Sequence, residues 1–126
     1  MVVCLAARRS FRLRILRLSA AITAGVALLL LVVLRQRFIT LRLSDCLLVA
    51  VVVGCSILLW WEAGNTGALN TDPLPGVSPN DVLCSLVTYL FIGFYAAFRR
   101  PVDTIRFEQV RVLLTLVSFM VNVVTI

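Results

Sequence analysis

The sequence predicts an all-α fold, namely a small polytopic integral membrane protein with three to four transmembrane helices in a single membrane domain, residues 1–126. Of the 126 residues, 61% are hydrophobic and 14% are charged, whereas soluble domains average about 45–50% apolar and about 25% charged residues. A short chain keeps much of its surface in water, so this composition excludes soluble enzymes, disordered tails and fibrous repeats. The second observation is a set of four apolar runs without any charged residue, at 18–34, 46–61, 82–98 and 112–126.

The first helix is expected at about 18–34, after a basic N-terminal flank at 1–17. The flank contains no acid, and its arginines are interleaved with apolar residues, without the amphipathic stripe that a mitochondrial presequence needs. We expect the flank to lie uncleaved on anionic headgroups, where each Arg contributes about 1 kcal/mol. A mitochondrial presequence is the alternative. The basic residues expected at the membrane surface are Arg8, Arg9, Arg12, Arg14, Arg17, Arg99 and Arg100.

Cap signals bound the other three helices, which are expected at about 45–63, 79–100 and 104–126. Asp45 is expected to cap the second helix, and Gly64 to end it in the left-handed conformation. Ser78, Pro79 and Asp81 have the order of an N-cap, a first helical residue and an acid that favours the positive end of the helix dipole. Together these signals predict defined ends for the second and third helices.

The segment 62–81 is predicted to be an acidic, Pro-rich loop without any basic residue, and Trp60 and Trp61 beside it are expected to be interfacial anchors. The arginines near 35–42 and 99–111 should lie on the cytoplasmic or matrix side, so this loop lies opposite. The basic flank conflicts with that rule, because a spanning first helix puts it on the loop's side. Either segment 18–34 crosses despite the conflict, or it enters the membrane and returns.

Small residues four positions apart share one helix face and allow close backbone approach between helices. The alternative is that such pairs reflect only the abundance of Ala and Gly in membrane spans. Asn122 is the only strongly polar residue of the four apolar runs, so we expect it to hydrogen-bond to a neighbouring helix for about 0.6 kcal/mol. The candidate packing residues are Ala21, Gly25, Ala50, Gly54, Gly93, Ala97 and Asn122.

The residues that carry most enzyme chemistry are missing from this sequence. All 12 basic residues are Arg, with no Lys and no His, so the usual general base and the commonest metal ligand are absent. Cys4, Cys46, Cys55 and Cys84 lack metal-ligand spacing, and we expect neither a metal nor a cofactor. Palmitoylation of Cys4 is the functional alternative to an apolar role.

The charged residues of the sequence also weigh against transport and nucleic-acid binding. The apolar runs carry no ionisable group, whereas coupled carriers hold such groups within the membrane. Glu108 is instead expected to pair with Arg111 at i,i+3. The arginines flank lipid rather than forming a soluble basic face, so we expect no nucleic-acid partner.

We therefore expect a non-catalytic membrane subunit, or an assembly or stabilising factor, whose partners are the lipid bilayer and other membrane-protein subunits. The alternative is a homo-oligomeric small pore of the viral-channel type, which needs polar groups along its lumen. The apolar runs are only 15–17 residues long, which favours the thin bilayer of the endoplasmic reticulum or another endomembrane. The mitochondrial inner membrane is the alternative compartment.

Overall fold

The computed structural model describes residues 2–37, 41–71 and 74–125, with the side chains of 14–15, 17–36, 41–66, 68–71 and 74–125. Within these ranges the chain forms four α-helices and no strand. The helices are α1 (Val2–Arg37), α2 (Leu43–Leu59), α3 (Pro79–Arg99) and α4 (Thr104–Thr125).

The four helices form an up-and-down bundle. Each helix packs on the next one in the sequence, and α1 also packs on α4. A contact of 3.0 Å between Ser19 Oγ and Thr125 Oγ1 joins the first half of α1 to the last turn of α4. Residues 60–71 and 74–78, together with Thr125, therefore lie at one end of the bundle, which we call the loop end. The opposite end carries Arg42, Arg99 and Arg100, and we call it the arginine end.

Each helix contains a segment that is long and apolar enough to span a membrane. Only 28–39% of the residues in the most apolar windows of these segments are buried, so most of their apolar side chains face outward, as lipid-facing side chains do. This is the architecture of a multi-pass integral membrane protein, and it confirms the predicted fold class. The segments are Arg17–Gln36, Leu43–Gly64, Pro79–Arg99 and Thr104–Thr125.

The interior of the bundle differs between its two ends. Toward the arginine end the buried side chains are apolar, and Leu31, Ile92 and Phe107 are among the largest of them. Toward the loop end they are mostly small and polar. The buried polar residues are Ser19, Thr23, Ser56, Asn80, Asp81, Ser85, Thr88, Ser118 and Asn122.

The first helix is longer than the predicted 18–34. α1 is one continuous helix of 36 residues, about 54 Å long, which excludes a segment that enters the membrane and returns. The Arg, Leu and Ala residues of the flank are strong helix formers, so the helix extends beyond its spanning part. The basic flank is thus the N-terminal extension of α1, at the loop end.

The start of α2 corrects the predicted role of Asp45. α2 follows Arg42, which caps it without a side-chain hydrogen bond. Asp45 Oδ1 instead accepts a hydrogen bond of 3.0 Å from the Tyr95 hydroxyl and lies 3.6 Å from Arg99 Nη2. The carboxylate therefore ties the start of α2 to the end of α3.

The end of α2 corrects the predicted role of Gly64. The helix continues into a π-helical turn, Trp60–Gly64, and the only described glycine with a positive φ is Gly76. The Trp60 ring lies where a Cβ atom on Gly64 would sit. Gly64 is thus needed for close approach to this ring rather than for a left-handed turn. Trp60 Nε1 also donates a hydrogen bond of 2.6 Å to Asn80 Oδ1.

The start of α3 is as predicted. The Asp81 carboxylate accepts a hydrogen bond of 2.9 Å from the backbone N–H of Ser78, and the Asp81 N–H donates one of 3.4 Å to Ser78 Oγ. Pro79 occupies the first helical position. α3 ends at Arg99, one residue earlier than predicted, because Arg100 adopts a left-handed conformation with φ 45°. The predicted loop 62–81 also contains a short 3₁₀ helix, Gly67–Asn70.

Candidate functional site within the spanning helices

Arg111 of α4 reaches across to the backbone of α3. Its Nε donates a hydrogen bond of 2.9 Å to the carbonyl oxygen of Tyr89, and its Nη1 donates to both carboxylate oxygens of Glu108 at 2.9 and 3.1 Å. The guanidinium carbon lies 3.6 Å from the centroid of the Tyr89 ring. The arginine side chain is only 14% exposed, so a carbonyl, a carboxylate and an aromatic face together replace its hydration.

Gly93 makes this contact possible. A Cβ atom at position 93 would overlap the guanidinium of Arg111. Residues 89 and 93 lie one turn apart on the same face of α3. The guanidinium therefore contacts the helix surface at Gly93, which has no side chain. Tyr89 lies at the midpoint of the 21-residue α3, which places the charge near the mid-depth of the bundle. Ionisable groups at such a depth are costly and mark functional sites.

The expectation that the spans hold no ionisable group is wrong. Glu108 and Arg111 lie within the spanning helix Thr104–Thr125, because that helix begins eight residues before the charge-free run at 112–126. The expected i,i+3 pairing of these two residues is confirmed. The i,i+3 spacing of Glu108 and Arg111 was the sequence signal for this site. Spacing along one helix does not show, however, that Arg111 also reaches α3.

Glu108 borders an open groove of about 660 Å³ on the outer surface between α3 and α4. The Glu108 side chain is 45% exposed. Gln109 is exposed beside it, and its side chain makes no hydrogen bond with a described residue. Lipid tails offer no hydrogen-bonding partner, so a carboxylate and a carboxamide on this outer face are unusual. The groove is lined by Tyr89, Thr104, Ile105, Glu108, Gln109 and Val112.

A layer of hydroxyl groups joins three helices inside the bundle. Thr88 Oγ1 of α3 lies 3.0 Å from Ser56 Oγ of α2 and 3.3 Å from Ser118 Oγ of α4. All three residues are buried. Polar side chains in this layer thus bond to one another rather than facing the outside of the bundle.

Asn122 lies one turn beyond this layer, toward the loop end. It is fully buried, and neither its Oδ1 nor its Nδ2 has a hydrogen bond of ordinary geometry with a described residue, although the Cys84 thiol of α3 faces the amide. The expected hydrogen bond to a neighbouring helix is therefore reduced to this weak thiol contact. One physical reason is that the nearby hydroxyls of Thr88 and Ser118 already bond to each other.

The small-residue pairs occupy different environments. Ala50 and Gly54 are buried, and a Cβ atom on Gly54 would lie 3.2 Å from Cβ of Ala24 in α1. Ala21 and Ala97 are exposed, as is Gly25, and a Cβ atom at position 25 would meet nothing within 4 Å. One pair thus packs α2 on α1, while the α1 pair faces outward.

The predicted surface arginines are exposed wherever their side chains are described. Arg14 and Arg17 are exposed on α1, as are Arg99 and Arg100 at the arginine end. The side chains of Cys4, Arg8, Arg9 and Arg12 lie outside the described residues.

The described residues contain no group of three or more His, Cys, Asp or Glu side chains that could hold a metal ion. Cys46 and Cys84 are buried free thiols, whereas the free thiol of Cys55 is exposed. The strongest chemical feature of the described spanning helices is therefore the group formed by Arg111, Glu108, Tyr89 and Gly93, which we call the Arg111 cluster, together with the adjacent groove.

Comparisons with protein-family models, curated proteins and solved structures give no match for this chain.

Proposed function

We propose that the protein is a non-catalytic membrane subunit, or an assembly or stabilising factor, that docks on a transmembrane helix of a larger partner through the groove between α3 and α4. The observation that carries the proposal is the outward placement of Glu108 and Gln109 beside this groove. A partner helix would supply the hydrogen bonds that lipid cannot. Each such interhelical bond contributes about 0.6 kcal/mol on average.

Arg111 prepares Glu108 for this role. Its bonds to Tyr89 and Glu108 fix the carboxylate, and its positive charge offsets the negative one. Each carboxylate oxygen accepts one bond from Arg111 and has capacity for another. The partner that fits is therefore a helix with a hydrogen-bond donor opposite Glu108 and an amide or hydroxyl group opposite Gln109.

A second copy of the chain fits the groove less well than a different protein. A symmetric dimer uses the same patch on both copies, so it would bring two Glu108 carboxylates into one interface, where like charges are unfavourable. The outward face of Ala21 and Gly25 on α1 offers an additional surface for close helix packing.

The homo-oligomeric pore is the second proposal and has less support. A pore lumen needs polar groups or a dewetting constriction on the surface that the protomers share. The hydroxyls of Ser56, Thr88 and Ser118 face the interior of a single bundle instead. Conductance of the purified protein in planar bilayers, together with a closed ring of copies, would favour the pore over the subunit.

Site-specific photo-crosslinking in the native membrane tests the docking proposal. A photoreactive amino acid is placed at Gln109 or at Leu116, which lies two turns along the same face of α4 and is exposed. Val51 is the matched control, because it is 58% exposed on the outer face of α2. We expect one shared protein adduct from positions 109 and 116, and none from position 51.

The hydrogen-bonding part of the proposal is tested with the photoreactive residue kept at Leu116. Gln109→Leu should then lower the adduct yield about threefold, which corresponds to one interhelical hydrogen bond of about 0.6 kcal/mol. Adducts of the chain only with itself would indicate a second copy as the occupant. Adducts with lipid alone from all positions would contradict docking altogether.

For the compartment we propose the endoplasmic reticulum or another endomembrane, with the mitochondrial inner membrane as the alternative. The spanning segments of 20–22 residues match an average bilayer of about 30 Å, so their length favours neither membrane. The support is the absence of a clean amphipathic stripe in the basic flank. Fractionation of cells that produce the tagged protein separates the two.

A further inference from the structure

A second cavity lies at the arginine end, and it shares no lining residue with the α3–α4 groove. It has a volume of about 230 Å³ and opens between the start of α2, the end of α3 and the start of α4. The side chains that define its chemistry are Arg42, Ser44, Asp45, Tyr95, Arg99 and Phe107.

The cavity combines a basic rim with an aromatic floor. The rings of Tyr95 and Phe107 stack with their centroids 6.2 Å apart and an interplanar angle of 25°. Asp45 is already engaged by the Tyr95 hydroxyl at 3.0 Å and by Arg99 at 3.6 Å. Two guanidinium groups and one carboxylate therefore line the cavity, and its lining has a net positive charge.

Arg42 and Ser44 are available to a ligand. Both are exposed, and neither has an ion pair or side-chain hydrogen bond with a described residue. The side chain of Arg99 is 56% exposed despite its contact with Asp45. Two guanidinium groups and a hydroxyl at one opening form a donor set that suits a phosphate group.

Exposed apolar residues beside the cavity distinguish a lipid phosphate from a soluble one. Phe98 and Val102 neighbour the lining residues Arg99 and Pro101 in the sequence, and they are 86% and 94% exposed. A soluble anion has no apolar groups that could contact these side chains, whereas the glycerol and upper acyl chain of a phospholipid would cover them. Basic pockets between transmembrane helices bind anionic headgroups in this way.

We propose that this cavity binds the phosphate headgroup of an anionic phospholipid. Arg42 and Arg99 pair with the phosphate, the Ser44 hydroxyl donates to it, and the exposed apolar side chains contact the tails. The Asp45 carboxylate weakens binding, because it competes for Arg99 and repels the phosphate. This site is independent of the proposed partner groove, so its test uses the purified chain alone.

The test is native mass spectrometry of the full chain in a neutral detergent, with phosphatidylglycerol as the probe. At about 1 kcal/mol for each arginine, Arg42→Gln should weaken retention of one bound lipid about fivefold. Arg100→Gln is the matched control, because Arg100 is exposed at the same end but does not line the cavity. It should change retention by less than about twofold, since a micelle of neutral detergent has no anionic surface potential.

Asp45→Asn gives the opposite sign and is the sharper variant. Asparagine keeps an oxygen that accepts from Tyr95, while the loss of charge frees Arg99, so retention should rise about fivefold. A variant that merely damaged the fold would lower retention, so a rise with Asp45→Asn cannot arise from misfolding. Retention unchanged by Asp45→Asn, or lowered equally by Arg42→Gln and Arg100→Gln, would overturn the site.

Two further probes test the source of the phosphate. Phosphatidylcholine should be retained at least about fivefold less than phosphatidylglycerol, because its headgroup has no net charge for the arginines to attract. Inorganic phosphate at equal concentration should not displace the lipid. Equal retention of phosphatidylcholine, or displacement by phosphate, would overturn the assignment to an anionic lipid.

Discussion

At the scale of single residues, Arg111 is the most informative side chain of the protein. A charge within spanning helices is costly, and here it is offset by Glu108 and by the Tyr89 carbonyl. The exposed side of the pair, Glu108, faces the outer groove. The buried partner therefore fixes the position of the accessible one, which is why the docking proposal depends on both residues.

The fit of Arg111 against α3 predicts opposite effects for two Gly→Ala variants. Gly25→Ala should raise the free energy of unfolding by about 0.5–1 kcal/mol, because alanine restricts the unfolded chain and open space surrounds position 25. Gly93→Ala should lower the free energy of unfolding by about 1 kcal/mol. The lost hydrogen bond of a charged group costs about 1.5–3 kcal/mol, which exceeds the gain of about 0.5–1 kcal/mol from alanine. Reversible unfolding in mixed micelles measures both, and equal stabilities would contradict the arrangement.

The poorly bonded amide of Asn122 predicts a stabilising substitution, because the Cys84 thiol is only a weak partner. Burying an amide without ordinary hydrogen bonds costs about 1–3 kcal/mol, so Asn122→Leu should raise the free energy of unfolding by about that amount. Ser118→Ala is the comparison, since the hydroxyl of Ser118 contacts Thr88. That variant should lower stability by about 1 kcal/mol. A less stable Asn122→Leu protein would show that the amide has a bonding partner in the membrane.

At the scale of the elements, α3 is the helix that carries both sites. Tyr89 and Gly93 hold the Arg111 cluster, while Tyr95 and Arg99 line the cavity at the arginine end. The start of α3 is fixed by the reciprocal bonds between Ser78 and Asp81. Correct placement of both sites therefore depends on where this helix begins.

The capping box predicts the effect of removing its hydroxyl. Ser78→Ala should lower the free energy of unfolding by about 1 kcal/mol, which is typical for an N-cap serine. Ser44→Ala is the matched control, because Ser44 is an exposed serine in the first turn of α2 without a cap bond. It should leave stability unchanged in the same micelle assay. Equal losses in the two variants would contradict a specific cap.

The helix ends show what local sequence signals predict and where they fail. Ser78, Pro79 and Asp81 placed the start of α3 correctly, because a cap depends only on neighbouring residues. Asp45 has the same residue type as a cap, but a tyrosine 50 positions away takes its carboxylate. Contacts between helices thus override local propensity, and the sequence pattern does not include them.

At the scale of the whole molecule, the all-α membrane fold with three to four helices followed from composition and hydropathy, whereas the site did not. The charge-free run at 112–126 excluded Arg111, although the helix that contains it begins at Thr104. Gly93 was predicted to allow close helix packing, and the group that approaches it is the Arg111 side chain of α4. The sequence pattern shows neither the charge within the span nor this contact, because the reach of a long side chain to another helix is a tertiary property.

The bundle places the basic N-terminal extension and the acidic loop at the same end. Five arginines precede residue 18 and six lie between 35 and 106, whereas Arg111 lies near mid-depth, so both ends of the bundle are basic. The excess of positive charge predicts that the arginine end faces the cytoplasm or matrix. The N-terminal arginines weaken this preference, and the direction of insertion stays a prediction.

Four crossings are the central claim, because both the groove and the lipid cavity are defined by this bundle. The most direct measurement labels single cysteines at positions 14, 70 and 102, in a protein otherwise free of cysteine, with an impermeant thiol reagent in sealed vesicles. We expect positions 14 and 70 to react from one side and position 102 from the other. Reaction of position 14 on the same side as position 102 would show that α1 does not cross, and would contradict the bundle.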